Sequence, residues 1–194
     1  MKHIEENVAK KNSGVGTNNS NSPNGIAYMF KEWIMPVVVA FLIVIFLNRF
    51  IFILVKVPTP SMEDTIMVGD RLYINELFDI KDAQRGDILV FKSDELEEKR
   101  LVKRLIGLPG DVVEVEADGT VFINGEKLDE PYAAKAGIGK MMFNVPENSY
   151  LFLGDNRPVS KDARYWENPY INGDKIIGKV VFRFFPFSRI GKVK

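Results

Sequence analysis

Hydrophobic and polar positions divide the chain into three stretches. Residues 1–26 are polar, and Asn12–Gly25 (NSGVGTNNSNSPNG) is rich in Asn, Ser and Gly. So little apolar area can be buried there that a disordered tail is expected. Trp33–Leu47 then runs for 15 residues without a polar or charged side chain, and six more apolar residues follow Asn48 and Arg49. A bilayer span needs about 20 mostly apolar residues. The pattern predicts one N-terminal transmembrane helix over 27–49, with Trp33 at one interface and Arg49 snorkelling to the other. A cleaved leader would begin near residue 1 and close on a small-residue site, whereas 32 residues precede this run and no such site ends it.

Beyond residue 56 the period shortens to that of strands. ILVFK (Ile88–Lys92), DVVEVE (Asp111–Glu116), TVFI (Thr120–Ile123) and KVVFRFFPF (Lys179–Phe187) read as strands, and Ile51–Val55 as one lying against lipid. Asp118-Gly119 and Asn124-Gly125 are hairpin turns. Gly-Asp pairs at 69–70, 86–87, 110–111, 154–155 and 173–174 punctuate the rest, and no long amphipathic helix is evident. The expected fold is mainly β. The expected division is a tail over 1–26, an anchor over 27–49 and a β domain over 50–194, with a small hairpin insertion at about 112–150.

Charge and composition narrow the chemistry. The 26 basic and 26 acidic residues cancel, which argues against a nucleic-acid partner. There is no cysteine and a single histidine, His3, in the polar tail. Disulfides, a thiolate nucleophile, a Cys- or His-based zinc site and a Ser-His-Asp triad are therefore not expected. Lys2, Lys10, Lys11 and Lys31 favour a cytoplasmic tail, with the β domain across the membrane.

Two segments then matter. In VPTPSMEDT (Val57–Thr65), Pro58 and Pro60 stiffen the backbone ahead of Ser61. A nucleophilic Ser61 needs a base, and a buried neutral lysine can serve, because desolvation lowers the pKa of an ammonium. In RLVKRLIGLPGD (Arg100–Asp111), strand alternation puts Leu101, Lys103 and Leu105 on one face and turns Arg104 away. Lys92 is a rival at the end of its own strand, and an edge-strand lysine that snorkels to water is the alternative reading of Lys103. Spacing does not place Ser61 beside Lys103, because 42 positions separate them. LGDNRPVSKDARYW (Leu153–Trp166) reads on its own as a polar, turn-rich loop.

Taken together and in this order, the segments resemble type I signal peptidases, membrane-bound serine proteases with a Ser-Lys dyad. PTPSMEDTI resembles the family's serine box, GDRLYIN (Gly69–Asn75) its Gly-Asp box, LVKRLIGLPGD its lysine box and GDNRPVSKDAR its C-terminal box. The resemblance spans roughly residues 30–190. It implies a signal-peptidase-like β catalytic core and no cofactor. Ser61 would be the nucleophile and Lys103 the general base, with Ser160 orienting the lysine. The N–H of Ser61 and the hydroxyl of Thr59 would form the oxyanion hole. It further implies supporting ion pairs Asp155–Arg104 and Asp162–Arg164, and substrate pockets near Met62, Ile66, Leu101 and Val102. The implied partners are exported preproteins, cut after small residues at −1 and −3, and the lipid bilayer. The sequence departs from the common family pattern at Thr59, Pro60, Glu63-Asp64 and Ala163.

Two other readings fit some of these residues. A self-cleaving repressor-type Ser-Lys protease shares the dyad, but the run Trp33–Leu47 and the lack of a DNA-binding signal oppose it. In a non-catalytic, membrane-anchored β module, Ser61 would be a turn residue only.

Overall fold

The computed structural model describes residues 30–50, 52–96 and 99–193. The expected tail over 1–26 and the side chain of Arg49 lie outside the described part. A π-helical turn, Phe30–Ile34, leads into helix α1, Met35–Phe50. Pro36 falls in the first turn, where its missing N–H costs no intrahelical bond. Residues 35–46 of the helix are all apolar, and side chains 31–46 are exposed, Val37 at 68% and Phe41 at 64%. With 16 residues, α1 is shorter than the span expected over 27–49. Among the described residues no helix is long and apolar enough to cross a membrane.

Among the described residues the remainder forms twelve strands. In chain order these are β1 (Phe52–Lys56), β2 (Arg71–Asn75), β3 (Ile88–Ser93), β4 (Lys99–Gly107), β5 (Val112–Val115) and β6 (Val121–Ile123). They continue with β7 (Glu126–Lys127), β8 (Met141–Asn144), β9 (Ser149–Leu153), β10 (Tyr170–Asn172), β11 (Ile176–Phe185) and β12 (Gly191–Lys192). The larger sheet runs β1-β2-β11-β3-β4-β9-β10, with β12 added beside β11, and the smaller runs β7-β6-β5-β8. The segment expected to lie against lipid thus forms the edge strand β1, paired antiparallel to β2 with Val55 opposite Leu72. The Asn124-Gly125 turn has φ of 51° and 84°, the left-handed pair that a two-residue hairpin requires.

Strand β4 connects the architecture to the site. Its inner half is buried on both faces, because a different apolar cluster covers each side. Leu105 packs with Phe91 and Phe152, whose rings stack at 4.4 Å, while Ile106 packs with Val113 and Leu151 in a separate cluster. Lys103 and Arg104, on opposite faces by the strand period, are therefore both only 3% exposed. Lys103 is buried and so is not a snorkelling lysine, even though β9 does not reach its position on β4. The outer half of β4 differs: β3 pairs with all of Lys99–Arg104, but β9 joins only from Arg104, opposite Leu153.

Candidate active site

Ser61 begins where the chain leaves β1. Val57 N–H donates to Asp70 O at 2.9 Å and Gly69 N–H donates to Val57 O at 2.9 Å, which pinches the loop shut at its base. Within it, Ile66 N–H reaches Met62 O at 2.7 Å, closing a helical turn just after the serine. The side chains of Met62 and Ile66 anchor this turn in the core with Leu72, Ile74 and Val90. Ser61 is left 8% exposed on the wall of a cleft of about 370 Å³. Thr59, Met62, Leu101, Val102 and Lys103 share that wall, whereas Ile66 is fully buried behind Met62. Among the described residues neither Ser61 N–H nor the Thr59 hydroxyl has a hydrogen-bond partner.

Lys103 enters from β4. Because Leu153 lies opposite Arg104, continuing the antiparallel register by one residue sets Gly154 beside Lys103. The loop after β9 therefore starts at the lysine and folds over it. Lys103 Nζ donates to Ser160 Oγ at 3.0 Å. Burial pulls the Lys103 ammonium from 10.5 down to about 8; the carboxylates of Asp162 and Asp155 oppose that shift, and the nearby Arg164 guanidinium adds to it. Lys92, the rival base, is exposed on β3.

The serine and the lysine are brought together by Gly154. A Cβ there would lie 2.2 Å from Ser160 Oγ and 2.5 Å from Ser61 O. Only the lack of a side chain lets the serine loop and the lysine's partner approach the same point. Asn156 then ties the loop down twice: its N–H donates to Ser61 O at 3.1 Å and its side-chain amide to Pro60 O at 3.1 Å.

Two buried ion pairs brace this arrangement. Arg104 grips Asp155 through Nε–Oδ1 at 2.8 Å and Nη2–Oδ2 at 2.6 Å, and donates to Gly86 O at 2.8 Å. Thr65 of the serine loop donates to the same carboxylate at 2.6 Å. Arg164 grips Asp162 at 2.8 and 3.0 Å, and Asp162 accepts Gly154 N–H at 2.9 Å. Fork-to-fork geometry satisfies the lone pairs of both carboxylates, which buried charges require. Thr65, Gly154 and Asn156 carry roles that strand period and residue type did not show, since each acts through a partner remote in sequence. Glu130 and Tyr132 are further such partners: Glu130 pairs with the buried Arg157, and the Arg104 guanidinium lies 3.7 Å from the centre of the Tyr132 ring.

Comparison with known proteins places the chain in a family. The sequence model of the family described as signal peptidase, peptidase S26, matches residues 30–185. The chain belongs to the signal peptidase family. It is 37% identical over 177 residues to signal peptidase IB of Staphylococcus aureus, covering 81% of this chain and 90% of that one. It is 41% identical over 142 residues to a probable signal peptidase I-2 of Synechocystis, covering 70% of this chain and 64% of that one. The chain thus spans a little under two-thirds of the length of that cyanobacterial relative. A crystal structure of a signal peptidase I from Enterococcus faecalis matches at 33% identity with a TM-score of 0.42, over 50% of this chain and 96% of that chain. Membership of the signal peptidase family makes the chain a serine-peptidase hydrolase.

Proposed function

We propose that this chain is a membrane-anchored endopeptidase that removes N-terminal signal peptides from exported preproteins. Ser61 is its nucleophile and Lys103 its general base. The observation that carries the reading is the buried Lys103–Ser160 hydrogen bond at 3.0 Å, beside the cleft that Ser61 and Lys103 both line. An ammonium with a pKa of about 8 leaves roughly a tenth of the lysine neutral at pH 7, enough to accept a proton.

In the first step Ser61 Oγ attacks the scissile carbonyl carbon as its proton passes to neutral Lys103 Nζ. The oxyanion that forms takes hydrogen bonds from Ser61 N–H and the Thr59 hydroxyl, which no other described group occupies. Lys103 then gives its proton to the leaving amine as the C–N bond breaks. Water, deprotonated by the same lysine, hydrolyses the acyl-enzyme and restores Ser61. Ser160 holds Nζ in place throughout, and the Asp155–Arg104 and Asp162–Arg164 pairs hold the loops that carry the reacting groups.

The cleft suits an extended substrate. Lys99–Lys103 have β3 on one edge only, and β1 forms the edge of the larger sheet; both line the cleft. A peptide laid there can bond to strand edges and alternate its side chains, small ones at −1 and −3 facing Met62, Leu101 and Val102. The apolar run Trp33–Leu47 supports a single-pass anchor with the tail cytoplasmic and the catalytic domain extracytoplasmic. The test is cleavage of a preprotein bearing an Ala-X-Ala site in detergent, parent against Ser61→Ala at equal folded amounts. Cleavage at that site by the parent alone is expected; equal cleavage by both removes Ser61 from catalysis.

A further inference from the structure

The cleft is unusual in its charge. Four of its lining residues are cations, Lys56, Lys99, Arg100 and the buried Lys103, and none of the described lining residues is a carboxylate. Lys56, Lys99 and Arg100 are exposed at the outer ends of β1 and β4, and none forms an ion pair among the described residues. Other lysines of the domain are mixed: Lys140 pairs with Glu116 at 2.7 Å, Lys175 with Asp94 at 2.8 Å and Lys179 with Asp87 at 2.6 Å, whereas the exposed Lys81, Lys127 and Lys161 form no ion pair among the described residues. In a chain with a formal net charge of +0, a cleft whose described lining holds four cations and no carboxylate is a local asymmetry. A concave site lined by one sign of charge, with apolar walls, focuses its field on whatever enters.

We propose that Lys56, Lys99 and Arg100 make the cleft charge-selective, favouring an acidic side chain and rejecting a basic one at −2 or −4 of the signal peptide. The inference rests on the reading of this cleft as the signal-peptide site. In an extended peptide alternate side chains face opposite ways. If −1 and −3 fill the apolar floor, −2 and −4 turn towards the mouth, where the cations stand. Acidic side chains there gain attraction, and basic ones meet like charge as the cleft loses water.

The test uses the full chain in uncharged detergent and peptides with Ala at −1 and −3 and Glu, Gln or Lys at −2 or −4. Exposed charge pairs are weak, but Glu and Lys differ by two charges, so kcat/KM should favour Glu over Lys by about tenfold at low salt. The ratio should shrink towards one at about 0.5 M salt, where screening is strong. The double variant Lys56→Glu, Arg100→Glu should invert it. Rates equal within about twofold for Glu and Lys peptides at low salt, with the Gln peptide cleaved, would overturn the inference alone, as would a preference that survives charge reversal. Acceleration of all three peptides alike by phosphatidylglycerol vesicles, with no difference among them, would assign the cations to anionic lipid and overturn it too. No cleavage of the Gln peptide would overturn the signal-peptidase reading and this inference with it.

Discussion

Nζ of Lys103 donates to Oγ of Ser160 at 3.0 Å, across 57 positions of sequence. The bond is made where β9 ends and its loop turns back over β4, and it fixes the direction of an amine that burial has made easier to deprotonate. Removing the hydroxyl should leave the fold intact but free the amine to swing. Ser160→Ala is expected to lower kcat by about ten- to a hundredfold with little change in KM, less than the roughly 10²–10⁴-fold that a positioned general base itself contributes. Steady-state kinetics on a signal-peptide substrate check this; an unchanged kcat would remove Ser160 from the positioning role.

Gly154 should tolerate no side chain. A Cβ would meet Ser160 Oγ at 2.2 Å and Ser61 O at 2.5 Å, and the second is backbone that cannot rotate away. Gly154→Ala should destabilise by about 1–3 kcal/mol, the usual range for overpacking, and should lower activity further by pushing the serine loop off the lysine's partner. Thermal melts and kcat/KM together separate the two effects.

Lys103 should cost stability for the sake of function. Its folded-state pKa of about 8 lies below the ordinary 10.5. Between those values the unfolded chain binds more protons, so stability rises with pH across that window and the penalty is constant below it. The penalty at pH 7 is on the order of 3 kcal/mol. Lys103→Met should therefore melt higher than the parent at pH 7, lack the rise in stability between about pH 8 and 10.5, and have no peptidase activity. A lower melting temperature at pH 7 would contradict the desolvation argument.

The Arg104–Asp155 pair makes a different prediction. Both side chains are at most 3% exposed, and Asp155 also accepts from Thr65. Arg104→Met leaves a buried carboxylate without its main partner, a change that typically costs about 3–5 kcal/mol. The double variant Arg104→Met, Asp155→Leu should recover part of that loss. Chemical denaturation of the single and double variants measures the difference.

Much of this was legible in the sequence, and what was not has a physical cause. The Asn124-Gly125 hairpin was readable because its turn demands left-handed backbone, which few residues supply. Strand period alone put Lys103 on an apolar face but could not say whether that face was covered, since this depends on β9 and the loop after it, as in the pairing of Leu105 with Phe152, 47 positions away. The ordered motifs pointed to Ser61, Lys103 and Ser160 where periodicity could not. Thr65 and Asn156 were hidden because their roles, gripping Asp155 and the Ser61 loop, exist only through partners 90 and 96 positions away. Burial of Arg104 was missed for a related reason: alternation tells which face a side chain takes, not whether that face is covered.

The measurement that bears most directly on Lys103 as the base is kcat/KM against pH, from about pH 6 to 10, for the parent and for Ser160→Ala. Because kcat/KM reports ionisation in the free enzyme, the parent should rise with pH and level off through an inflection near 8, as the buried ammonium loses its proton. Ser160→Ala should be lower throughout and inflect at a different pH, since the lysine has lost its hydrogen-bond partner. A profile that is flat across this range, or an inflection near 8 that persists in residual activity of Lys103→Met, would contradict the assignment of Lys103 as the base.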